Sequence, residues 1–178
     1  SLKVGDPAER DTFLGPLIDG RAVETFKRAV GLGKRDGRVL FGGHTLTSEA
    51  LVYGHYVEPT VVGHVRKDSK LLSEEFPAPV LAVTEVRSLE EGISQANASP
   101  TGLSAGFYSQ VDGEREQFFD RIEAACAYSN RRDGATSGRR PGMPSFGGWK
   151  ASGTTGKNAL GPFFVTQFMR EQSRVVCW

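Results

Sequence analysis

Apolar residues fall at helical spacing between Asp19 and Gly37, where Ala22, Val23, Phe26, Ala29 and Val30 share one face. Asp19 stands where an N-cap belongs and Gly37 where a helix stops, so this stretch is predicted to be an amphipathic helix. Val39-Leu40-Phe41 before Gly42-Gly43 predicts a short strand and turn. Tyr56 to Val62 reads as extended but contains Pro59, which argues for an edge or a bulge. Pro79-Val80-Leu81-Ala82-Val83-Thr84-Glu85-Val86 is a continuous apolar run with β-branched residues, the pattern of a strand buried on both faces. Ser88 and Glu91 form a capping box ahead of Leu89, Ile93 and Ala96, and Ser99-Pro100-Thr101-Gly102 ends that helix. A strand from Leu103 to Tyr108, a helix from Asp112 to Ala125 with Phe118, Phe119 and Ile122 as its buried stripe, and a strand from Ala124 to Ser129 follow. Strands alternating with helices of this length predict an α/β fold with a largely parallel sheet flanked by helices.

The pattern then breaks. From Arg131 to Leu160 the chain is rich in Gly, Ser, Thr, Pro and Arg without periodicity, which is too long for a plain connector in a compact domain. Such a loop is functional or disordered. Ser173-Arg174-Val175-Val176-Cys177 reads as a terminal strand that needs a neighbour, in this chain or in another.

Composition narrows the classes further. The chain has 178 residues, 38% of them hydrophobic and 24% charged, enough for a real core. Its 22 basic and 21 acidic residues leave a net charge of +1, so no overall field draws nucleic acid or anionic lipid. No apolar run reaches the ~18 residues of a membrane helix, and the start lacks a signal-peptide layout, which points to a cytoplasmic protein. Cys126 and Cys177 are too few for a disulfide framework, and His44, His55 and His64 are not at ligand spacing, so no metal site is expected.

Candidate chemistry gathers in Met143-Pro144-Ser145-Phe146-Gly147-Gly148-Trp149-Lys150-Ala151-Ser152-Gly153. Adjacent glycines allow close backbone approach to a ligand, and Phe146 and Trp149 supply flat apolar walls; a purely structural loop is the alternative. Glu75, beside Glu74 at the entry to the Pro79 run, is a carboxylate suited to accept hydrogen bonds from paired hydroxyls, or else half of a solvated acidic pair. Ser137-Gly138-Arg139 with Gly142 has the makings of an anion-binding nest, with Arg131, Arg132, Arg139 and Arg140 adding positive charge, or else is a solvated basic loop.

The wording Phe146-Gly147-Gly148-X-Lys150-X-Ser152-Gly153 resembles the signature near the end of the aldehyde dehydrogenase superfamily. Leu14-Gly15-Pro16-Leu17-Ile18-Asp19, Glu74-Glu75-Phe76-Pro77-Ala78-Pro79-Val80, and Ala96-Asn97-Ala98-Ser99 leading to Gly102-Leu103-Ser104-Ala105 match the same family in the same order. The resemblance covers the whole chain and makes it similar to a fragment of that catalytic domain, with residues 1–160 as its C-terminal portion and 161–178 as an oligomerisation tail ending in a strand. It implies that Glu75 holds the nicotinamide ribose, that Phe146 walls the aldehyde pocket, and that Gly138 and Arg139 belong to the loop that anchors a substrate carboxylate. That last match, with Gln167 to Arg174, resembles the 1-pyrroline-5-carboxylate (glutamate semialdehyde) dehydrogenase branch. It further implies NAD or NADP in the intact enzyme, none held tightly by this chain, a small aldehyde substrate, and homo-oligomers paired through the C-terminal strand.

The family's nucleophilic cysteine, general base and dinucleotide-binding domain lie N-terminal to the segment matched here. No residue of this chain is therefore nominated as nucleophile or base, and the chain alone is expected to be inactive. The family pattern departs here in two places: Phe76-Pro77-Ala78-Pro79 shifts the usual aromatic by one position, and Ser145 replaces the usual proline before Phe146. A non-catalytic interaction module derived from the family, and a related enzyme reducing acyl phosphates, are the rival readings.

Overall fold

A computed structural model describes residues 2–131, 147–153 and 161–178. Its contacts divide the chain into two compact units, Ser1–Val86 and Arg87–Trp178.

The first unit is built on α1 (Gly20–Asp36), which Asp19 caps by accepting from the Ala22 amide at 2.8 Å. Its apolar face lies on a three-stranded sheet of β1 (Arg38–Phe41), β2 (Thr60–Gly63) and β3 (Val80–Ala82). The central strand β2 runs antiparallel to β1 and parallel to β3. Phe26, Ala29 and Val30 from α1 meet Val57, Val62, Val65 and Leu71 in the core.

Two strand expectations change. Pro59 does not mark an edge: it sits just outside the ladder, which begins at Thr60, and the irregularity falls in β1 between Val39 and Phe41. The Thr60 hydroxyl, buried at this junction, accepts from the Gly43 amide and donates to the Glu58 carbonyl, both at 2.9 Å. Within this unit the Pro79–Val86 run is not buried on both faces. β3 is the sheet's edge, α1 covers one side only, and Leu81 is 59% exposed.

The second unit contains α2 (Leu89–Asn97), β4 (Thr101–Gly102), β5 (Ser104–Phe107), α3 (Asp112–Arg121), β6 (Cys126–Ser129) and β7 (Trp149–Lys150). β5 and β6 pair in parallel with α3 between them in sequence, as the alternation predicts, while β4 and β7 pair antiparallel. Ile93, Phe118 and Ile122 form the core, with Phe107 stacked on Phe118 at 5.0 Å between ring centres. The capping box is present: the Glu91 amide donates to Ser88 Oγ at 3.2 Å, although the Glu91 carboxylate reaches the amide of Arg87.

α3 stops four residues short of the predicted end. Asn97 accepts from the Glu123 amide at 2.9 Å and donates to the Arg121 carbonyl at 2.8 Å, which draws that backbone out of the helix. Phe119 is 47% exposed and leaves the stripe to Phe118 and Ile122, which are four apart. Residues 169–178 form no strand with another described segment, and Val175, Val176 and Trp178 are exposed. No described helix is long and apolar enough to cross a membrane.

Candidate cofactor and substrate site

Glu75 follows the short 3-10 turn Lys70–Leu72, which α1 holds at its start. Ser69, buried, donates to Asp36 Oδ2 at 2.7 Å and accepts from the Leu71 amide at 3.2 Å. The Glu74 amide then closes on the Lys70 carbonyl at 2.8 Å. The two acids at this turn differ sharply in their surroundings. Glu74 receives Arg28 Nη1 at 3.0 Å and Lys70 Nζ at 3.3 Å, and Lys70 first, then Arg28, hold its carboxyl below the ordinary value against partial burial. Glu75 is exposed and its carboxylate has no partner among the described residues.

A carboxylate without a partner is open to hydroxyl donors, and of these two acids only Glu75 is in that state. Phe76 packs against the Ala29, Val62, Val65 and Leu71 cluster, with the Arg28 guanidinium 4.8 Å from its ring centre. The shifted aromatic thus has one face on a cation and a flank on the core.

Phe146, Gly138 and Arg139 lie outside the described residues. The chain on either side of them is described. On the entering side Asn130 takes φ 52°, exchanges two hydrogen bonds with the Ser109 backbone at 3.0 and 2.8 Å, and is followed by Arg131, whose carbonyl accepts from Tyr108 Oη at 2.6 Å. On the leaving side the signature closes on itself. A Cβ on Gly148 would collide with the Ser152 backbone and one on Gly153 with the Gly148 carbonyl, so these glycines serve the turn's own closure. Neither has positive φ.

Lys150, at φ 53°, places its ammonium 2.6 Å from the Asn97 carbonyl, 3.2 Å from the Ser99 carbonyl and 2.8 Å from Glu123. Asn97 ends α2, so this cation also meets the negative end of a helix. Ser152 Oγ accepts from the Gly102 amide at 3.1 Å, and the Ala151 amide donates to the Pro100 carbonyl at 3.1 Å. In the described part of the motif, Lys150, Ala151 and Ser152 fasten the loop to the turn between α2 and β4, while Gly148 and Gly153 close it on itself. Trp149 is 51% exposed.

Arg28 and Asn130 carry no sequence signal, because a polar residue far in sequence from its partner gives none locally; Asn97, Lys150 and Ser152 stand in segments that match the family, but their partners cannot be read there.

Residues 1–173 match the aldehyde dehydrogenase family. The chain belongs to the aldehyde dehydrogenase family. It is 32% identical over 172 residues to a 1-pyrroline-5-carboxylate dehydrogenase of Geobacillus sp. (strain WCH70), covering 97% of this chain and 32% of that protein. It is 30% identical over 174 residues to 1-pyrroline-5-carboxylate dehydrogenase 1 of Halalkalibacterium halodurans, again covering 97% and 32%. The chain thus spans about a third of the length of these relatives. Among solved structures it is similar to the Thermus 1-pyrroline-5-carboxylate dehydrogenase with bound NAD, at TM-score 0.78 and 33% identity, covering 89% of this chain and 30% of that one. The α/β aldehyde dehydrogenase fold is the one expected from the resemblance.

Proposed function

We propose that this chain supplies cofactor-positioning and substrate-anchoring elements to an NAD(P)-dependent aldehyde dehydrogenase that oxidises an aldehyde to a carboxylic acid. The substrate we assign is 1-pyrroline-5-carboxylate in its open glutamate semialdehyde form, giving glutamate in proline catabolism. Family membership and the names of the similar proteins support this reading. The observation that carries it is the free carboxylate of Glu75 beside its engaged neighbour Glu74.

A bound nicotinamide cofactor supplies the hydride acceptor. Glu75 holds the ribose hydroxyls and so orients the ring, while Phe146 keeps water from the aldehyde and the Gly138–Arg139 loop binds the substrate carboxylate. The nucleophile and general base lie outside these 178 residues in this reading, and Cys126 and Cys177 have structural roles. The reading places the enzyme in the cytoplasm as a homo-oligomer joined through residues 161–178.

In the full-length enzyme carrying these residues, Glu75→Gln is expected to raise KM for the nicotinamide cofactor roughly tenfold while leaving KM for the aldehyde nearly unchanged. An unchanged cofactor KM would remove Glu75 from the role. The 178-residue chain by itself is expected to show no aldehyde oxidation, and robust turnover by it would overturn the division of labour.

A further inference from the structure

Glu75 sits between two residues that one arginine holds. Arg28 reaches from α1 across 46 residues of sequence to donate to Glu74 Oε2, and its guanidinium lies over the Phe76 ring. A guanidinium can do both at once, because its edge carries the donors and its face stacks. Lys70 also touches Glu74, but it belongs to the same turn and cannot tie that turn to α1. With the residues before and after it drawn to α1, the middle side chain is left facing out, and Glu75 is the exposed, unpartnered acid. Asp36 and Ser69 fasten the start of the same segment to the same helix.

We infer that Arg28 is a positioning residue for Glu75, setting the direction of its carboxylate by gripping Glu74 and Phe76 together. The inference rests on the ribose-holding reading of Glu75. Arg28 itself touches no substrate in this assignment; it acts by keeping Glu75 ready before the cofactor arrives, so less ordering is needed on binding. Its side chain is 58% exposed, so removing it does not open the core.

The test is steady-state kinetics of the full-length enzyme with NAD and glutamate semialdehyde. Arg28→Met, Arg28→Lys, Glu75→Gln and the Arg28→Met/Glu75→Gln pair are compared with the parent. Arg28→Met is expected to raise KM for NAD roughly three- to tenfold, with KM for the aldehyde within about twofold of the parent. Arg28→Lys, which keeps the charge but not the planar face, is expected to recover only part of this. In the Glu75→Gln background Arg28→Met is expected to add nothing. Equal effects of Arg28→Met in both backgrounds would show a general structural role and overturn the inference. If Glu75→Gln raises the NAD KM while Arg28→Met does not, this inference alone fails. If Glu75→Gln changes nothing, the ribose reading fails and takes this inference with it.

Discussion

Replacing Lys150 by methionine takes a cation away from two carbonyls and a carboxylate at once. The end of α2 then faces outward with its acceptors unmet, and the expected loss is about 1–2 kcal/mol, read as a lower urea midpoint. A loss under about 0.3 kcal/mol would mean that water replaces the ammonium without cost. Asp36 makes a pH-dependent contribution. Arg35 donates to it at 2.7 and 2.8 Å and Ser69 at 2.7 Å, and Arg35 first, then Ser69, hold its carboxyl far below the usual carboxylate range against desolvation. A depressed carboxyl stabilises the fold above its unfolded-state pKa of about 3.9, and that contribution is lost as pH falls toward the folded value. Asp36→Asn is therefore expected to be less stable than the parent at neutral pH, with the gap between their urea midpoints narrowing by pH 3. A gap of the same size at both pH values would count against the linkage. The sequence sets Lys150 in a signature and Asp36 beside Arg35, but the carbonyls under Lys150 and the Ser69 hydroxyl on Asp36 come from other segments and are not marked there.

At the scale of the element, α1 was legible because its signals are local: a 3.6-residue apolar period, a capping aspartate and a terminal glycine. What its pattern hides is the difference between its two inner glycines. By helix propensity alone, alanine at either Gly31 or Gly33 gains up to ~1 kcal/mol. The fold separates them. A Cβ on Gly31 meets nothing within 4 Å, whereas one on Gly33 meets Val62 Cγ2 at 2.7 Å, where the helix lies against β2. Gly31→Ala is expected to raise the melting temperature, and Gly33→Ala to lower stability by about 1–3 kcal/mol through overpacking. Thermal unfolding of the two variants side by side decides it, and a stabilised Gly33→Ala would mean that α1 and β2 can part without cost. The same distinction accounts for the misplaced end of α3. Its periodicity runs on to Ala125, but the Asn97 side chain captures the backbone at Arg121 and Glu123, a long-range capture invisible in any local window.

For the whole molecule, fold and family could be read from the sequence because several motifs recur in a fixed order along it. The site was legible in part. The sequence names Glu75, and the fold adds that Arg28 and Lys70 engage Glu74 and leave Glu75 free; the roles of Glu75, Phe146, Gly138 and Arg139 all rest on the resemblance. The C-terminal end raises the last question of assembly. Phe168, Met169, Val175 and Val176 are 74, 66, 86 and 69% exposed, and no described strand of this chain takes up the backbone of residues 173–177. An apolar segment with open backbone donors and acceptors is suited to pair with the edge of another sheet, and the proposed homo-oligomer gives it one in a second subunit. Proline at position 176 removes one backbone donor and restricts the chain without adding charge. In the full-length enzyme Val176→Pro is therefore expected to lower the mass measured by sedimentation at a fixed protein concentration, whereas Val176→Thr, which keeps the β-branch and the amide, is expected to retain the parent's mass. If Val176→Pro sediments as the parent does, the tail is not the intersubunit strand, and the contact between copies must be sought on another surface.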